Sequence, residues 1–134
     1  MSVIKSKRGE SEMEFIHVAR ELEIYTIKKC VGFPKRYTFY LAQPISECSV
    51  RIHMYSKMAN SIYPTNQHEA QLRRDYLLRA NAELQNLVSQ IEVAHEVFDL
   101  DYSIMKYWMD IVDKEIKLIK GTIKKDKERY KNLP

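Results

Sequence analysis

Leu77, Ala80, Leu84, Leu87, Ile91, Ala94 and Phe98 follow one another in alternating steps of three and four. At 3.6 residues per turn, those steps place every one of these side chains on a single helix face. Three other stretches repeat the pattern. They read Phe15, Val18, Ala19, Leu22 and Tyr25, with Ile24 and Ile27 on a second apolar flank; Leu41, Ile45, Cys48, Ile52, Tyr55, Ala59 and Ile62; and Met105, Trp108, Val112, Ile116, Ile119 and Ile123. Four amphipathic helices in one chain must bury their stripes against one another.

The breaks between the stripes set the order. Gly32-Phe33-Pro34 ends the first helix, which is expected to run from a Ser11 N-cap to about Val31, with Gly32 free to take a positive φ. Thr38 is a candidate cap for the second helix. Pro44 lacks the amide that would bond back to Tyr40, so a kink or a start delayed to Pro44 is expected there. Tyr63-Pro64-Thr65-Asn66 is the next turn, with Asn66 as N-cap and Glu69 three residues on, a capping-box variant. The third helix then spans about Gln67 to Phe98, and Asp99-Leu100-Asp101 separates it from a fourth beginning near Tyr102. Short turns favour antiparallel neighbours, so the expected fold is an all-α, antiparallel up-down-up-down four-helix bundle. The expected division is a flexible basic arm over 1–11, the bundle over 12–123 and a charged, fraying tail over 124–134.

Composition agrees. A chain of 134 residues with 45% hydrophobic residues can bury a core. Three glycines and four prolines supply few hairpin turns. No apolar run approaches the roughly 20 residues of a membrane span, and residues 1–12 hold no apolar core of signal-peptide length. A cytoplasmic protein with no membrane association is the resulting expectation. Two cysteines, Cys30 and Cys48, without a CxxC spacing read as buried free thiols.

Net charge is only +4, but antiparallel order separates the charges. One end of the bundle collects Lys57, Arg73, Arg74, Arg79, Lys117, Lys120, Lys124, Lys125, Lys127, Arg129 and Lys131, joined by Lys5, Lys7 and Arg8 of the arm. The opposite end is mixed, with Glu92, Glu96, Asp99 and Asp101 facing Lys28, Lys29, Lys35 and Arg36. Lysines near a helix C-terminus complement the macrodipole; Arg73 and Arg74, near a helix N-terminus, do not. A bound anion or an acidic partner is therefore expected, with phosphates the obvious candidate. The candidate phosphate contacts are Arg73, Arg74, Arg79, Lys117, Lys120, Lys124 and Lys125, with Lys35 and Arg36 as a second patch.

Catalytic constellations find no support. Two Glu-x-x-His pairs, Glu14–His17 and Glu92–His95, have the spacing of di-metal bundles, with Glu47 and Glu115 available as lone carboxylates. The first and third helices run the same way, so the pairs fall roughly 30 to 40 Å apart along the axis. No metal, no cofactor and no enzymatic activity are expected.

Phe33-Pro34-Lys35-Arg36 followed by Leu41 and Ile45, Ala59-Asn60 closing the second helix, the run RRDYLLRANAELQNLVSQIEVA and Trp108 form a set in a fixed order. In these residues the chain resembles the four-helix bundle family of ribosomal RNA intervening-sequence proteins and of the accessory variability determinant of diversity-generating retroelements. The resemblance covers about Leu22 to Ile123. Where that family reads Asn-Ile-Ala-Glu-Gly, this chain has Asn60-Ser61-Ile62-Tyr63-Pro64. The resemblance implies a ring-like homopentamer. It also implies a non-catalytic accessory role: binding a reverse transcriptase and its RNA template or single-stranded cDNA in mutagenic retrohoming. A protein-interaction module without a nucleic-acid role is the alternative of a different class.

Overall fold

The computed structural model describes residues 12–134. The expected Ser11 cap and the basic arm with Lys5, Lys7 and Arg8 lie outside the described residues. Four helices follow: α1 Glu14–Val31, α2 Gln43–Asn60, α3 Gln67–Phe98 and α4 Tyr102–Arg129.

Ion pairs tie each helix to its neighbours. His53 of α2 meets Glu23 of α1 at 2.7 Å, and Arg51 of α2 pairs with Glu83 of α3. Arg73 of α3 meets Asp126 of α4 at 2.6 Å, and Lys114 of α4 meets Glu14 of α1 at 3.6 Å. Each helix thus packs on its two sequence neighbours, with α4 closing the circle on α1. The pairs fit the up-down-up-down order.

The stripes form one core. Phe15, Leu22, Ile45, Ile52, Leu77, Leu84, Leu87, Ile91, Trp108, Val112 and Ile119 are all essentially sealed from solvent. Trp108 carries an indole N–H into that core, where an unpaired donor would be costly. It donates to Thr26 Oγ1 at 2.9 Å, and Thr26 is buried with it. Both thiols are buried. Burial, reinforced by the Glu83 carboxylate, pushes the Cys48 thiol up to about 12, so it stays a protonated, unreactive group.

Two local expectations are corrected. Gly32 has φ −85°, so its freedom at positive φ goes unused. The left-handed residue is Asp99, φ 55°, whose N–H bonds to the His95 carbonyl and ends α3. Thr38 does not cap α2, because the chain from Lys35 is already wound. A 3₁₀ turn, Lys35–Tyr37, passes into a π-helical turn, Thr38–Ala42, and then into α2. Pro44 sits in the first turn of α2. It can donate no amide hydrogen bond, and the preceding backbone is wound so that the Gln43 N–H bonds to the Thr38 carbonyl, five residues back.

The expected tail is also corrected. Residues 124–129 continue α4, and the segment beyond them is tied down. The Gln67 side-chain amide donates to the carbonyls of Tyr130 (2.8 Å) and Leu133 (3.0 Å), and its backbone N–H donates to that of Pro134 (2.9 Å). Among the described residues no helix is long and apolar enough to cross a membrane.

Candidate nucleic-acid interface

The nine expected phosphate contacts separate into four groups. Arg73 leaves the set. It is 7% exposed, and its guanidinium is engaged by Asp126 through Nε and Nη2 and by the carbonyls of Ala59 and Ile62 through Nη1. A cation with its donors spent inside the bundle is a structural tie between α2, α3 and α4, not a surface anion site. Asp126 is its buried counterion.

The second group lies on α4. Lys117, Lys120, Lys124 and Lys127 are exposed and follow in steps of three, four and three, which keeps them on the helix face opposite buried Trp108, Val112, Glu115 and Ile119. They form a lysine stripe roughly 15 Å long. The later acids of this helix are occupied: Asp126 by Arg73, and Glu128 by Lys131. Lys125 lies to one side. With Lys117 it borders a cavity of about 120 Å³ between α1 and α4, floored by the Arg73–Asp126 pair and rimmed by Glu12, Glu14 and Arg129. Arg129 and Glu12 pair across that rim at 3.0 Å.

The third group lies elsewhere on α3. Arg79 borders a shallow depression with Tyr55 and Glu83 between α2 and α3, on the side of the bundle away from the α1–α4 cavity. Half-buried Arg74 donates from Nη1 to Gln71 at 3.3 Å. The fourth group, Lys35 and Arg36, is exposed at the other end, in the turn between α1 and the π-helical segment. One continuous basic end is therefore not what the side chains build. Among the described residues, the α4 stripe gathers four exposed lysines on one helix face.

The carboxylates and histidines weighed for a di-metal centre are dispersed. Glu14 pairs with Lys114, and His95 Nδ1 lies 2.9 Å from the Leu100 carbonyl. Among the described residues, no three His, Cys, Asp or Glu side chains converge as a metal set would. Glu115 is the unexpected member. It is fully buried on α4, and neither carboxylate oxygen has a hydrogen-bond partner among the described residues. Burial, with a smaller contribution from the Glu14 charge, pushes its carboxyl up to about 9.

The geometry thus defines an all-helical bundle with a lysine stripe on its outer face. No protein-family model, curated protein or solved structure matches the chain.

Proposed function

We propose that the protein is a non-catalytic, oligomeric accessory factor that binds RNA or single-stranded DNA through the α4 lysine stripe and serves a reverse transcriptase of a diversity-generating retroelement. The polymerase, the homopentameric ring and mutagenic retrohoming rest on the sequence resemblance alone. The nucleic-acid contact has a structural observation behind it, the stripe itself. The helix-dipole explanation covers only part of that stripe, because dipole stabilisation fades within the last turn. Lys117, Lys120 and Lys124 lie before the last turn of α4, which ends at Arg129. Four like charges on one face, with no acid interleaved from Lys117 to Lys125, repel one another in the free protein and gain most from a polyanion.

The expected result is binding of single strands that weakens steeply with salt. Four neutralised phosphates give a log–log slope of roughly −3, at about −0.7 for each. Replacing Lys117, Lys120 and Lys124 with Gln flattens that slope and leaves the helical circular-dichroism signal intact. Base sequence matters little to this term, since phosphate contacts carry no base information. Binding that is absent at moderate salt, or indifferent to these lysines, favours the interaction-module reading.

A further inference from the structure

Phe39 and Tyr40 are adjacent in sequence and stand 80% and 81% exposed. Residues on either side of them are fixed. Leu41 and Ala42 are buried in the core, and the Tyr37 ring stacks on Phe98 at 5.5 Å with an interplanar angle of 19°. The two rings are thus carried by a wound, anchored π-helical turn rather than by a loose loop. Single π-helical turns are frequent at functional sites.

The electrostatic setting is specific. From Ile24 through Ser46 the chain has no carboxylate and four cations, Lys28, Lys29, Lys35 and Arg36. Among the described residues none of the four pairs with a carboxylate. Lys29 and Arg36 instead lie over the rings of Tyr25 and Tyr37. Lys35 and Arg36 directly precede the exposed pair. The nearest acid along the chain, Glu47, accepts a hydrogen bond from Gln43.

We infer that Phe39 and Tyr40 are a base-stacking platform for single-stranded nucleic acid, with Lys35 and Arg36 holding the adjoining phosphates. The inference rests on the nucleic-acid reading above and adds a chemically different contact at the opposite end of the bundle from the lysine stripe. Flat apolar rings beside unpaired cations match the alternation of base and phosphate along one strand. A protein partner would draw on aliphatic surface, and the residues flanking the rings are Lys35, Arg36, Thr38 and Gln43. Exposed Val31, Val93 and Val97 are aliphatic residues toward the same end of the bundle that such a partner could use.

Affinity of the full chain for a short oligothymidylate, compared with an abasic strand of equal length, tests the platform. The wild type is expected to prefer the thymidylate by roughly tenfold for each stacked base. Phe39→Ala/Tyr40→Ala is expected to abolish that preference while leaving abasic affinity within about twofold, because the rings do not touch phosphate. Phe39→Leu/Tyr40→Leu keeps apolar bulk without a π-face and should fail equally. Equal affinity of the wild type for both strands overturns the platform but leaves the lysine stripe standing; no binding of either strand overturns both. A preference that survives in the Leu variant also overturns it. So does a lower mass by light scattering in the Ala variant, which would assign the rings to a protein interface.

Discussion

Glu115 sets the strongest residue-level constraint. Its carboxyl is raised from 4.5 to about 9 by burial, so around neutral pH it is protonated in the folded chain and ionised in the unfolded one. Between about pH 4.5 and 9 the native state therefore holds one proton more, and stability falls as pH rises, by up to about 1.4 kcal/mol for each unit. Thermal melts across that range should show the loss in the wild type and a flatter profile in Glu115→Leu, which should also be the more stable protein at alkaline pH. Arg73 and Asp126 form a buried pair. Each is the other's buried partner, so Asp126→Ala leaves an uncompensated guanidinium and should cost about 3 to 5 kcal/mol in urea denaturation. Leu87 is sealed in the core, and Leu87→Ala should cost roughly 2 to 5 kcal/mol.

Among the elements, the ends of α3 differ in how well they are made. Its start is fully capped. The Glu69 N–H donates to Asn66 Oδ1 at 2.8 Å, and the Glu69 carboxylate accepts from the Thr65 N–H and hydroxyl. Its end relies on Asp99 in a left-handed conformation that favours glycine. Asp99→Gly should therefore raise stability by up to about 1 kcal/mol, read as a higher melting temperature with unchanged helical content. The π-helical turn before α2 has a second consequence: it sets the phase in which Leu41 and Ala42 turn inward while Phe39 and Tyr40 turn out.

At the scale of the molecule, apolar residues remain outside the core. Ile24, Ile27, Val50, Met54 and Met58 are each more than a third exposed, and Tyr107 is half exposed. Ile111, on α4, is buried. Val50, Met54 and Met58 follow in steps of four down α2, forming a stripe that a second copy would cover. Light scattering at micromolar concentration should give a mass well above 15.9 kDa. A clean monomer removes the ring from the proposed function and leaves the nucleic-acid contact to its own test.

Helix number, turn positions and core were legible in the sequence because burial repeats with the helical period, and periodicity is a local property. Leu77 through Ala94 needed no partner to be recognised as one face. Arg73, Glu115 and Asp126 carried the same signal: Arg73 falls between Ala70 and Leu77, Glu115 between Val112 and Ile119, and Asp126 seven residues past Ile119. Reading those positions by charge rather than by phase placed Arg73 on the surface. Which charged residues meet could not be read from spacing along the chain. Arg73 and Asp126 are 53 residues apart in sequence, and only the packing of α3 against α4 turns two charges into a buried pair. The same packing leaves Lys117, Lys120, Lys124 and Lys127 together on the outer face. Sequence by itself determined the helices and their inward stripes. Tertiary structure decided which cations were consumed inside the bundle and which were left exposed, because charge pairing depends on distances that the chain acquires only when the helices pack.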